Sequence, residues 1–177
     1  MNRNSFITKI LEYINCDDAV ISSRRSVMNL IWGNYDKSNW FPILNSDGIP
    51  LFVAIGLSID VDCRFKRIFV IEDEYGFLLS LQSMDKDIFD RLNAKIIHIV
   101  LNESRDKYNL KKIASPLGYD CSFRITKYES IEKILKHLPD FNRIFIEACV
   151  YKDRRSDNTI HTVLPFDIVR KFRQYKA

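Results

Sequence analysis

Five carboxylates bracket one apolar run: Asp60 and Asp62 precede Ile68-Phe-Val-Ile71, and Glu72, Asp73 and Glu74 follow it. Acids on neighbouring strands are what a Mg2+-dependent nuclease uses, because a hard divalent cation takes oxygen ligands. The spacing opposes that chemistry. With a strand over 51–59 returning through a turn at Cys63 and Arg64, Asp60 faces Arg67 and Glu72 lies about five residues further along, roughly 16 Å away at ~3.3 Å per residue. One ion cannot bridge that gap, and the Glu-x-Lys that would complete such a centre is missing, since Asp73 and Glu74 follow Glu72. The acids therefore read as a cross-strand Asp60–Arg67 pair and a polar turn. No metal, cofactor or catalytic residue is expected from them.

Three histidines and four cysteines offer little more. His98, inside Lys-Ile-Ile-His-Ile-Val, reads as a satisfied core residue, and His137 as a helix-flank residue. His161 could approach Cys149 and Glu147, but strand neighbours alternate faces, so a thiolate–imidazole dyad is not favoured. Cys16, Cys63, Cys121 and Cys149 form no C-x-x-C and read as buried free thiols. Motifs for a nucleophile elbow, zincin, P-loop or dinucleotide fingerprint are absent.

Two other stretches can bind. The loop from Tyr35 to Pro42 carries Tyr35, Trp40 and Phe41, which either lid a core or anchor a partner. Eight of the 27 Lys/Arg but four of the 23 Asp/Glu fall from Arg143 onward, leaving 19 of each before it. The net +4 is thus concentrated in the last fifth, where Arg154, Arg155, Arg170, Lys171 and Arg173 form a basic unit with Lys176. Such a unit is a solvated face or a surface for nucleic acid or an acidic protein.

The elements that must hold these groups follow from periodicity. Ile7, Ile10, Leu11 and Ile14 mark a first helix capped by Asn4 or Ser5, and Val27, Leu30 and Ile31 a second, capped by Ser22 or Ser23 and ended by Gly33. The two helices pack together on one side of a sheet. Residues 34–50 read as loop, with a turn at Asn45-Ser-Asp-Gly48. Strands over 51–59 and Arg64–Gln82, the latter a hairpin turning at Asp73-Glu-Tyr-Gly76, give an antiparallel meander over 51–82. The run Ile68–Ile71 is apolar on both faces and so belongs inside the sheet. Ser83 caps a helix carrying Met84, Ile88, Phe89 and Leu92. Strands over 95–101, 121–126 and 143–151 alternate with helices over 106–114 and from Ser130 to Leu138, which suggests parallel crossovers. A strand over 159–164 and a helix from Pro165 complete the chain.

The expected class is α+β: one domain over 1–177 with a mixed sheet. At 177 residues with 46% hydrophobic and 28% charged residues it can bury a substantial core, and it has no membrane-length apolar run or secretory core, so a cytoplasmic protein is expected. The functional expectation is a non-enzymatic protein-binding module, in the manner of an immunity protein or antitoxin that inhibits its partner. Its binding residues would be Tyr35, Trp40, Phe41, Arg154, Arg155, Arg170, Lys171 and Arg173. The alternative is a nucleic-acid-binding or metal-dependent nucleic-acid-processing protein using the basic C-terminal unit.

Overall fold

The structure, a computed structural model, describes residues 1–23, 25–32, 39–43, 47–84, 86–104 and 107–151. Three apolar runs organise it: Ile68–Ile71, Ile96–Leu101 broken only by His98, and Ile144–Ile146. A strand points alternate side chains to opposite faces, so such runs must be covered on both sides, as parallel strands between helical layers are. Among the described residues the sheet has six strands: β1 (Asp18–Ser23), β2 (Trp40–Ile43), β3 (Arg67–Asp73), β4 (Lys95–Asn102), β5 (Cys121–Ile125) and β6 (Arg143–Cys149). Their order is β2-β1-β3-β4-β6-β5, and every neighbouring pair is parallel.

Helices α1 (Arg3–Tyr13), α2 (Arg25–Trp32), α3 (Pro50–Ile59), α4 (Glu74–Ser80), α5 (Leu110–Ala114) and α6 (Ser130–His137) cover it. One core joins α1, α2 and α6 to Val20, Phe69, Ile71, Ile97, Ile99, Ile144 and Ile146. The other joins α3, α4 and α5 to Ala19, Ile21, Ile68, Val70, Ile96, Val100 and Phe145. The side each helix takes follows from right-handed crossovers. Connections running toward β2 place α2 and α6 on the first face, and those running toward β5 place α3, α4 and α5 on the second. The helices after β1 and β3 therefore diverge at the C-terminal ends of these two strands, the topological switch point of the sheet. Doubly wound sheets take ligands at such a point.

The antiparallel meander and mixed sheet expected over 51–82 are overturned. Residues 51–59 form α3, with Pro50 in its first turn and Leu51, Ala54, Ile55 and Ser58 buried at helical spacing. A short run that is apolar all round cannot be told from a buried strand by periodicity alone. Asp73-Glu-Tyr-Gly76 is a helix start instead of a hairpin turn: the Asp73 carboxylate accepts from Gly76 N at 2.9 Å and caps α4. The Ser83-capped helix is two 3-10 turns, Leu81–Ser83 and Lys86–Arg91, with Phe89 still buried. Ser22 and Ser23, expected to cap the second helix, instead end a buried strand, β1. The placement of Ile68–Ile71 inside the sheet stands, with β1 and β4 on either side. The strand over 159–164 and the helix from Pro165 lie outside the described residues. Among the described residues, no helix is long and apolar enough to cross a membrane.

The Asp60–Arg67 pair goes with the meander. Arg67 instead holds Asp18 on the adjacent strand through Nε at 2.8 Å and Nη2 at 2.6 Å, and its guanidinium lies 4.8 Å from the centre of the Tyr13 ring. Asp18 is buried and also accepts from Asn15 N at 2.7 Å. Deleting one member of a buried pair strands the other charge. Arg67→Met is therefore expected to cost about 3–5 kcal/mol in urea unfolding, whereas Asp60→Asn, at an exposed position, should fall within about 0.5 kcal/mol of wild type.

Candidate functional site

Strand register assembles a polar row on the second face, near the C-terminal edge. Glu72 pairs with Val100, Val100 with Glu147, and Glu147 with Arg124. Ser23, one position beyond the Ser22–Ile71 pair, extends the row onto β1, and Asn102 ends β4 on the same face. Ser23, Glu72, Asn102 and Glu147 are all fully buried.

Glu72 begins a chain of hydrogen bonds into the core. Its Oε1 lies 2.7 Å from His98 Nε2, and His98 Nδ1 lies 2.6 Å from the Tyr119 hydroxyl. Burial, and then the neighbouring Glu72, push the Tyr119 phenol well above its ordinary value, so it keeps its proton and donates to Nδ1. The imidazole proton is thereby placed on Nε2, which donates to Glu72. The ring edges of Phe77 and Phe145 close around His98, at centroid distances of 5.7 and 5.6 Å. His98 is thus the satisfied core histidine that its apolar context suggests. The other Glu72 oxygen, Oε2, lies over Gly76, where an added Cβ would stand 2.7 Å from it.

A second network surrounds Glu147. Its Oε1 accepts from Asn102 Nδ2 at 2.7 Å and faces Arg124 Nε at 3.3 Å, while Oε2 accepts from Lys111 N at 2.9 Å. Burial raises the pKa of the adjacent Cys149 thiol, which keeps it protonated and poorly nucleophilic. A third network fixes the loop after β4: Glu74 Oε2 accepts from Glu103 N at 2.7 Å and Ser104 N at 3.1 Å, and Oε1 accepts from the Ser104 hydroxyl. Among the described residues, three acceptor or hydroxyl atoms at this edge, Ser23 Oγ, Glu72 Oε2 and Asn102 Oδ1, are buried with no hydrogen-bond partner.

The residues singled out from sequence fall elsewhere. Trp40 and Phe41 belong to β2 and are each 1% exposed. Trp40 Nε1 donates to Ser22 Oγ at 2.9 Å, and the Phe41 ring meets Phe65 edge-on, so both take the core role and are not surface anchors. Tyr35, Arg154, Arg155, Arg170, Lys171 and Arg173 lie outside the described residues, as does His161. Of the bracketing acids, Asp60 and Asp62 sit near the opposite end of β3 from Glu72, and no three His, Cys, Asp or Glu side chains among the described residues could hold one metal ion. All four cysteines are free thiols, with Cys16 exposed and Cys149 buried. Ser23, Asn102, Tyr119, Glu103 and Ser104 were missed. The available signal was a polar residue at the end of each apolar run: Ser23 after Ala19–Ile21, Glu72 after Ile68–Ile71, and Asn102 after Ile99–Leu101.

The class this defines is a Rossmann-like α/β domain with a polar C-terminal rim. No family model matches the chain, and no curated protein matches it at a significant level. Among solved structures, it is similar to one described as a thiamin diphosphate-dependent enzyme from Mycobacterium smegmatis, with 14% identity and a TM-score of 0.70 over 86% of this chain. The chain spans 32% of that protein's length. At this identity the likeness is one of fold.

The rim does not suit the anionic end of such a cofactor. Sheets of this kind hold phosphates on free amides, but here Gly76 N is taken by Asp73, Glu103 N and Ser104 N by Glu74, and Lys111 N by Glu147. A diphosphate would have to displace these carboxylates and then lie among them and Glu72.

Two outcomes check the geometry. Because the Glu72 carboxylate is held by His98, a methyl at residue 76 cannot push it aside without breaking that bond. Gly76→Ala should lose about 1–3 kcal/mol, and a Glu72→Ala background should remove the loss. The Tyr119 phenol ionises later in the folded chain than the ordinary 10.0 of the unfolded one, so the folded state binds more protons and loses stability as pH rises above that value. Tyr119→Phe, measured against wild type by urea unfolding, should cost about 1 kcal/mol near neutrality, with the gap narrowing as pH climbs past 10.

Proposed function

We propose that this chain is a non-enzymatic, partner-binding domain of the fold, whose rim receives a lysine ammonium or arginine guanidinium from a partner protein. The observation that carries this reading is that Ser23 Oγ, Glu72 Oε2 and Asn102 Oδ1, on the neighbouring strands β1, β3 and β4, are buried and unpaired toward the C-terminal edge of the sheet. Buried polar atoms are nearly always hydrogen-bonded, and ammonium and guanidinium groups are pure donors. The acid–base pair nearby supports the non-enzymatic side: His98 is 0% exposed and Tyr119 8%, and each is hydrogen-bonded within the core. Beside the rim, Tyr75 and Leu79 are exposed four residues apart on α4, and Gly48, next to exposed Ile49, abuts Leu79. Unpaired acceptors beside exposed apolar side chains are the counterpart of a basic residue on an apolar surface. The immunity or inhibitor role gains no support from the comparisons.

Methylguanidinium chloride, titrated at constant ionic strength and followed by amide chemical shifts, should give saturable changes centred on Ser23, Glu72 and Asn102 that Glu72→Gln weakens. A pull-down with the tagged chain should yield one defined protein whose capture falls with added salt and is lost in Leu79→Glu. Shifts matching a sodium chloride control, or capture indifferent to both substitutions, would refute the reading.

A further inference from the structure

We infer that the Glu103 and Ser104 amides, with the Ser104 hydroxyl, form an anion site for a phosphate or carboxylate group, which the chain closes with its own Glu74. The three donors converge on one carboxylate from 29 and 30 positions away in sequence, at 2.7 Å from Glu103 N and 3.1 Å from Ser104 N, with the hydroxyl on the second oxygen. Such a contact is tertiary and not a local turn. The side chain of Glu103 is drawn aside by Arg3, whose Nη1 donates to Glu103 Oε1 at 2.7 Å, so the loop offers Glu74 its backbone and not a second negative charge. Two amides on one oxygen and a hydroxyl on the other match the oxygens of an oxyanion. Glu74 is the first residue of α4 and is only partly buried, so its side chain can turn outward and leave the donors in place. This site uses donors, whereas the cation-binding reading uses the unpaired acceptors deeper in the rim, so either can fail without the other.

Inorganic phosphate, titrated at constant ionic strength by calorimetry and thermal unfolding, tests it. Wild type should show no saturable heat. Glu74→Ala and Glu74→Ser should bind, with a Tm rise of about 3–6 °C at ten times the dissociation constant. Glu74→Gln, whose amide oxygen can still take the two N–H groups, should stay closed. Wild-type binding as tight as that of Glu74→Ala would overturn the inference, as would absence of binding in both short variants when circular dichroism shows them folded.

Discussion

Because the central strands are covered on both faces, every polar group they carry must find its partner within the chain or go without. Desolvating an unpaired amide, hydroxyl or carboxylate costs several kcal/mol by rough estimate, and the structure meets that constraint almost everywhere. Asp18 is held by Arg67, Ser22 by the Trp40 indole, Glu72 by His98, which Tyr119 holds in turn, and Glu147 by Asn102, Arg124 and an α5 amide. On the strands, the described polar side chains that escape it, Ser23, Glu72 and Asn102, each through one atom, stand together at one edge.

That edge gives the molecule its character. Parallel strands end near backbone amides that favour anions, and the helices that follow add to this. Here the chain has supplied the anions itself: Asp73, Glu74 and Glu147 occupy the amides, leaving among the described strand side chains one hydroxyl and two acceptor oxygens unpaired. A fold shared with a protein described as thiamin diphosphate-dependent here has its rim amides taken by its own carboxylates. A shared fold does not carry a shared chemistry, because chemistry resides in the side chains at the rim.

The readable and unreadable parts of the sequence divide along the same physical line. Ile68–Ile71 announced a strand buried on both faces, and α1 and α6 announced themselves by period, because those signals are local. His98 could be read as a satisfied core group from its apolar neighbours. The direction of the strands could not. Leu51–Ile59 is apolar at nearly every position, which suits a buried helix and a buried strand alike, and Asp73-Glu-Tyr-Gly76 serves equally as a turn or as a cap. Once α3 was taken for a strand, Arg67 had only Asp60 to face. Its true partner, Asp18, lies on a strand 49 residues away, one that short length and a Ser-Ser ending had disguised.

By itself, then, the sequence determined which segments are buried, where most of the helices on the first face lie, and that His98 belongs to the core, since each depends on residues within a turn or two of one another. Tertiary structure decided the parallel order, the partners of Arg67, Glu72 and Glu74, and the burial of Trp40 and Phe41. These depend on which distant segments the crossovers bring alongside, and at the rim on carboxylates and amides some thirty residues apart meeting at a single point. No spacing in the chain encodes that meeting.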